Sequence, residues 1–421
     1  MDIEQAETSR VPVLADDSYP RYRWVIIGFL WLIQQSFSLT QFSLGIMLPS
    51  IRSDLGISAA QAGWLMAAGY VSQALLSIPA AVFLVRFGPK AILFVAQVAA
   101  GVFTLFQALA TGFFSFFYAR VFFATGNLGV QPAGVLLRLQ WVPRRELALV
   151  MGMGMGLSST AQGLGLILTP FLLLAFGSWR PTLAFYAALS LALAGLWLIL
   201  GRERVTEQYR QAMARSKERS SLRLVGGRKE FWMLGVIMLT INLSWLPIMT
   251  FYPTYLIEER GLSLTVAGLI TGIGSAGGVV GALGAGVLSD RLGRRKPLIW
   301  PVGLTLPLVY ATLFLPVPVP LLALLAFLWG VLVWSGAPAI MSIPYELTNV
   351  APSEVAVGQS LINTLMPVGA MTGSVLAGSL YSWVGSWHLA LMICASASIV
   401  RGLVGLGLPE TGPKAHVQSR S

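Results

Sequence analysis

Residues 286–296 read G-V-L-S-D-R-L-G-R-R-K and divide two long apolar segments, one from about Leu264 to Leu288 and one starting at Pro297. An apolar run of about 20 residues spans a bilayer as a helix, so this stretch is a short, strongly basic loop between two spanning helices. Arg291, Arg294, Arg295 and Lys296 assign the loop to the cytoplasmic side, where loops retain Lys and Arg. Gly293 suits the positive φ of a sharp turn. Asp290 can accept hydrogen bonds from helix N-terminal amides or pair with a nearby arginine.

The composition agrees with a membrane chain. Charged residues make up 11% of the sequence and hydrophobic ones 56%, whereas a soluble domain carries about 25% charged residues. The formal net charge is +11, but its placement speaks for topology rather than for nucleic acid. Of the 28 Lys and Arg residues, 23 fall in segments assigned to the cytoplasm, counting Arg138 at the cytoplasmic end of the 113–140 span. Three lie on the opposite face (Arg52, Arg180, Arg260) and two inside spans (Arg120, Arg401). The single cysteine, Cys394, permits no internal disulfide. Residues 1–20 are polar and acidic, without the basic-then-apolar order of a cleaved signal peptide.

Twelve spans are expected, at 24–50, 59–84, 91–111, 113–140, 147–176, 181–200, 231–257, 264–288, 297–315, 319–345, 355–382 and 387–408. The fold class is therefore all-α and integral to the membrane. Two six-helix bundles, 24–200 and 231–408, are joined by a basic cytoplasmic linker at 201–230. Tails at 1–23 and 409–421 also lie in the cytoplasm, and the membrane is the cell (inner) membrane. The linker reads as a solvated surface touching anionic lipid.

The halves repeat. L-G-I-S-A-A-Q-A-G (55–63) aligns with R-G-L-S-L-T-V-A-G (260–268) at a shift of 205, and G-S-W-R (177–180) with G-S-W-H (385–388) at 208. Duplicated halves with a mid-membrane site between them are a known transporter plan.

The 286–296 stretch resembles the loop signature of the major facilitator superfamily of secondary transporters, G-x-L-x-D-R-x-G-R-[RK]-[RK], and the repeat extends that resemblance over nearly the whole chain. The resemblance implies alternating access, with Asp290, Arg291, Gly293 and Arg294 at the joint between two moving halves. The first-half copy, A-V-F-L-V-R-F-G-P-K (81–90), has Val85 in place of the acidic residue and Pro89 in place of a basic one. By pseudo-symmetry, the partner expected for Asp290 is P-R-R-E-L (143–147), with Arg144 and Arg145 at the start of helix five. Further, slighter likeness is to bacterial organic-anion, cyanate-type and oxalate-type permeases, through the helix-five segment and G-S-W-R.

Charge inside a bilayer is costly and marks function. Arg120 in helix four resembles the family's arginine there, and at 3.6 residues per turn it shares a stripe with Asn127 and Gln131. Facing stripes carry Gln34 and Gln41 on helix one, Tyr70, Gln73 and Ser77 on helix two, and Ser158 and Gln162 on helix five. The second half offers Asn242 and Trp245 on helix seven, Trp334 and Met341 on helix ten, and Asn363 on helix eleven. Singly, such residues serve helix packing; together they outline a polar cavity. Arg401 is expected to snorkel from the end of helix twelve and has no assigned role.

No Asp or Glu lies deep in a span. A proton relay for cationic drugs needs such a group, so the substrate expected is a small organic or inorganic anion, held by Arg120. The alternative is an exporter of apolar or amphipathic compounds with Trp245, Trp334 and Met341 as an adaptable wall. No nucleophile elbow, metal-ligand cluster or phosphate loop occurs, so no enzyme, metal or cofactor is expected. G-I-G-S-A-G (272–277) fits a dinucleotide pattern but lies inside span eight, where it is close packing. The expected partners are the solute, membrane lipid and a co-transported proton or counter-anion. No nucleic acid is expected, and the chain is expected to be a monomer.

Overall fold

The computed structural model describes residues 20–84, 87–204, 228–347, 350 and 352–412; for some of these, including Arg144, Arg145, Ser77 and Ser158, only the backbone is described. The rest of the expected linker and tails lies outside the described residues.

Among the described residues, fifteen α-helices follow one another. The first half comprises α1 (Arg23–Leu55), α2 (Ala59–Leu84), α3 (Pro89–Ala108), α4 (Phe113–Asn127), α5 (Val130–Trp141), α6 (Arg144–Phe176) and α7 (Trp179–Leu200). The second half comprises α8 (Lys229–Glu258), α9 (Leu264–Leu292), α10 (Trp300–Thr312), α11 (Val319–Ser335), α12 (Ala337–Glu346), α13 (Pro352–Val384), α14 (Trp387–Ser396) and α15 (Ser398–Gly407). Three neighbouring pairs, α4–α5, α11–α12 and α14–α15, each form one interrupted rod, which leaves twelve rods. Helix four, expected as one piece over 113–140, is thus broken at Leu128-Gly129. The break before α12 has a covalent cause: Pro338 has no N–H to give the carbonyl of Trp334.

Among the described residues, eight stretches are long and apolar enough to cross a membrane on length and composition alone. The outer surface agrees, because large apolar side chains point outward: Trp383 is 88% exposed and Ile199 75%. Such a surface is stable only against lipid.

The repeat is visible in three dimensions. Gly56 and Gly261 both take positive φ (63° and 64°) at the far-face turns, opposite the basic loops, and Gly177 and Gly385 do the same (69° and 73°). The indole of Trp179 donates to Asp54 (3.2 Å), and that of Trp387 donates to Glu258 (2.9 Å). At the basic face, Glu203 accepts the backbone N–H of Lys90, and Glu410 accepts that of Arg295 (2.6 Å). Each half therefore uses the carboxylate just past its last helix to cap the loop before its third rod.

The two halves meet mainly through α2 with α13, α6 with α9, and α1 with α8. The closest approaches use the repeat's own glycines. A Cβ on Gly63 would sit 2.6 Å from the Ser374 carbonyl oxygen, and one on Gly268 would sit 2.4 Å from that of Leu166. Arg52 pairs with Glu258 across the halves at 3.1 Å, and the Ala60 N–H donates to Ser382 Oγ at 3.1 Å. Both bonds lie at the far face. At the basic face each half pairs with itself: Arg23 with Glu146 (3.1 Å) and Arg228 with Glu354 (3.4 Å).

Candidate functional site

Arg120 is fully buried in α4. Its Nη2 donates to the backbone oxygen (3.1 Å) and to Oε1 (2.8 Å) of Gln41 on α1. Its guanidinium carbon lies 5.2 Å from the centre of the Phe123 ring, a cation–π contact one turn along the same helix. Tyr70 of α2 stands beside Gln41 and Arg120, and the Gln41 amide packs over Gly69. Helices α1, α2 and α4 thus build one polar cluster around a cation. Nε and Nη1 of Arg120 have no hydrogen-bond partner. Among the described residues, the ion pairs of the protein do not include it.

Two of the expected stripes do face each other. Besides Arg120 with Gln41, Gln131 Nε2 donates to Gln34 Oε1 at 3.2 Å, again joining the fourth rod to the first. Asn127, half-buried, precedes the break between them. In the second half Trp245 and Trp334 meet edge to face with ring centres 5.4 Å apart, and Phe42 of α1 meets Trp245 at 6.1 Å. The remaining expected residues stay apart. Asn242 turns its amide back onto the Met238 carbonyl (2.9 Å), Gln162 is half-buried on α6, and Asn363 is exposed on α13. Ser72 with Thr125 (2.7 Å) ties α2 to α4 and is ordinary packing.

Arg401 does not snorkel. It is fully buried, and its Nη1 donates to the Val333 carbonyl (2.9 Å) one turn before the Gly336 break. Snorkelling needs a path to the interface; α10 and α11 close that path here, and the guanidinium instead donates to the Val333 carbonyl, with Nε and Nη2 unpartnered.

At the signature loop, Gly293 has φ 63°, which ends α9. Asp290 pairs with Arg295 (2.7 Å), which also binds Glu346 through Nη2 (2.7 Å) and Nε. The hydrogen bond to Glu346, then that to Asp290, holds the Arg295 pKa above the usual arginine range against the opposing effect of burial. Arg291 and Arg294 are exposed. The P-E-T-G segment (409–412) folds onto this loop through Glu410 and through Thr411, which donates to Glu346 (3.0 Å). Sequence reading gave that segment no role. The signal was there, since Glu203 and Glu410 stand at equivalent places in the two halves.

A concavity of about 840 Å³ lies away from all of this, between α2, α3 and α4, lined by apolar residues such as Phe87, Val95 and Phe122. The exposure of Val95 and Phe122 places it on the lipid side, so it holds none of the polar chemistry.

Comparison with known proteins fits the geometry. The probable sulfoacetate transporter of Cupriavidus necator is 25% identical over 408 residues, covering 91% of this chain and 93% of its own. The hexuronate transporter of Bacillus subtilis is 29% identical, over 63% of this chain and 64% of its own. The 4-hydroxybenzoate transporter of Acinetobacter baylyi is 24% identical, over 92% of each. In three dimensions, a bacterial homolog of the human lysosomal transporter Spinster, in an inward-facing and unoccupied conformation, superposes with a TM-score of 0.73 at 18% identity, over 92% of this chain and 94% of that one. The Major Facilitator Superfamily model matches residues 30–351, and the chain belongs to that family of multi-pass membrane transporters.

Proposed function

We propose that this protein carries a small organic anion across the cell membrane by alternating access, with Arg120 as the anion's anchor. One observation carries the reading. Arg120 is buried and charged, has no carboxylate partner among the described residues, keeps two donor nitrogens free, and, unlike Arg401, stands in a cluster of polar side chains with Gln41 and Tyr70. Leaving a buried cation unpaired costs several kcal/mol, on the order of what an arriving carboxylate or sulfonate would recover through charge-assisted hydrogen bonds. Relatives named for sulfoacetate, hexuronate and 4-hydroxybenzoate support the same chemistry. The exporter alternative draws on the Trp245–Trp334 wall but leaves Arg120 without a purpose.

The topology proposed places both termini and the basic loops in the cytoplasm, with the linker at 201–230 tethering the two halves. Among the described residues, the ion pair that joins the halves lies at the far face, which supports an inward-open reading. Asp290, with Arg291 and Arg294, closes the cytoplasmic side by meeting Arg144, Arg145 and the first turn of α6. A proton carried on the substrate itself, or a counter-anion, supplies the coupling.

The test is ligand-dependent thermal stabilisation of the purified protein by carboxylates and sulfonates, followed by uptake of the best binder into vesicles. Arg120→Lys keeps the charge but loses the planar fork, so it should weaken binding about tenfold or more while the protein stays folded. Full binding by a folded Arg120→Ala variant would end the reading.

A further inference from the structure

The site is chemically lopsided, and that asymmetry constrains what fills it. The cation stands in the first half, on α4, held by Gln41. The next residue, Phe42, leaves the polar cluster and meets Trp245 of the second half, which meets Trp334 in turn. Arg120, Gln41, Phe42, Trp245 and Trp334 therefore form one continuous path from a guanidinium to a set of aromatic faces and edges, and the path crosses from one half to the other. Trp245 is buried while Trp334 is only half-buried and lies against Gly278 of α9. Aromatic edges and faces set at 65° and 80° to one another accept a further flat ring in the offset or edge-to-face geometry that aromatic pairs prefer.

Among the described residues, no second cation is within reach of the first. Arg401 is buried against the Val333 carbonyl, under α10 and α11. Arg138 lies 18 residues further along the fourth rod, roughly 27 Å by the helical rise. A second carboxylate on the same small molecule would be set among tryptophans, desolvated and unpaired.

Resting on the anion reading above, we propose that the preferred substrate is a singly charged aromatic acid, a monocarboxylate or monosulfonate whose head sits on Arg120 and whose ring lies against Trp245 and Trp334. Such a molecule touches both halves at once. Its charge is bound by the first half and its body by the second, so its binding free energy differs between the open and closed arrangements, which is the requirement for a substrate to drive the switch.

The experiment measures dissociation constants on the purified full chain for benzoate, benzenesulfonate, cyclohexanecarboxylate, glucuronate, glutarate and benzyl alcohol. Benzoate or benzenesulfonate is expected to bind best, and whichever of the two leads identifies the head group. Cyclohexanecarboxylate should follow about three- to tenfold weaker, the worth of an aromatic pair. Glutarate and benzyl alcohol should be weaker still, the first for its second charge and the second for having none. Arg120→Gln should abolish the advantage of every acid. Trp334→Leu should collapse the benzoate-to-cyclohexanecarboxylate ratio toward one, and Trp334→Phe, which keeps a ring, should preserve it and so report on packing rather than misfolding. Tighter binding of glucuronate or glutarate than of benzoate, still dependent on Arg120, would overturn this inference and leave the anion reading intact. Acid binding indifferent to Arg120 would overturn both.

Discussion

The two halves of this transporter share a skeleton and differ in their charge. The shared parts recur at a nearly constant shift. Gly56 and Gly261 turn the far-face loops, Gly177 and Gly385 turn the next ones, and Glu203 and Glu410 cap the loops at the basic face. The buried cations do not recur. At a shift of 208, Arg120 corresponds to Leu328 and Arg401 to Leu193. Each arginine is thus particular to its own half, and they are held differently. Arg120 is held by both the backbone oxygen and the side chain of Gln41, within a cluster of polar side chains, whereas Arg401 is held by one main-chain carbonyl beside a helix break. The comparison teaches that duplicated features build the moving frame, while features found once carry the chemistry or repair a local defect.

The sharpest way to break this comparison is to remove each arginine in turn. Arg120→Ala should leave the melting temperature within a few degrees of wild type, because the two bonds to Gln41 that it removes are offset by removal of a buried, unpaired charge. It should lower anion affinity about a hundredfold, the worth of a bidentate charged contact. Arg401→Ala opens a cavity and strands the Val333 carbonyl, and should cost about 2 kcal/mol of stability while affinity changes less than about twofold. Arg401→Met, which refills the space, should recover much of the loss. Thermal melts with and without ligand separate the two patterns, and the reverse pattern would show that the roles assigned here are exchanged.

A second test asks whether the shared frame is equivalent in both halves. Gly63 and Gly268 occupy matching positions, and each lets the opposite half's backbone approach. Valine at either site would push a side chain against a carbonyl oxygen, a cost of about 1–3 kcal/mol that parts the far face instead of unfolding the chain. Both variants should open a cysteine placed at Leu48, fully buried here between Gly45 and Arg52, to a thiol reagent, and to a similar degree. A large effect at one site only would mean that a single helix pair, α2 with α13 or α6 with α9, carries the closure.

Much of this frame was legible in the sequence, because hydropathy, loop charge and the spaced repeat each survive translation into structure. The twelve rods, the positive φ of Gly293 and the burial of Arg120 next to helix one all follow from local pattern. What was illegible depended on three-dimensional neighbours. Arg401 was expected at the interface because its sequence position lies near a helix end; only the packing of α10 and α11 shows it sealed in. The aromatic link from Phe42 through Trp245 to Trp334 joins residues that are far apart in sequence on helices of both halves, so no periodicity reports it. Helix four was expected to be continuous because apolar character runs on through Leu128-Gly129, and hydropathy does not register a broken hydrogen-bond ladder.

A smaller effect is expected at the ion pair that, among the described residues, joins the halves. Arg52 binds Glu258 at 3.1 Å and lies 5.6 Å from the Tyr381 ring centre and 5.8 Å from that of Trp387. Partly exposed pairs of this kind contribute about 1 kcal/mol, and the aromatic neighbours add somewhat more. Arg52→Gln should shift the equilibrium toward a far-face-open state by roughly fivefold to tenfold, seen as faster labelling at the same buried Leu48 position. If labelling is unchanged, closure rests on the glycine contacts alone.

The subtlest asymmetry concerns Asp290, the signature carboxylate that the first half has replaced with Val85. Here Asp290 binds Arg295 within its own half and is 73% exposed, while Arg295 is also bound by Glu346. In this arrangement the loss of Asp290 is tolerable, since Glu346 keeps Arg295 paired. With the basic face closed, the proposed partners of Asp290 are Arg144, Arg145 and the free amides at the start of α6, whose helix dipole favours a carboxylate. Those contacts exist in one state only, so Asp290→Asn should disfavour that state without unfolding the chain. Because the carboxylate is exposed and screened, the effect should be about 1 kcal/mol, roughly fivefold toward the basic-face-open population. Spin labels at the basic-face ends of α6 and α9 measure it directly, through growth of the long-distance peak in the variant. An identical distance distribution in Asp290→Asn and wild type would mean that Asp290 merely steadies its own loop, and that the switch is worked by the basic residues around it.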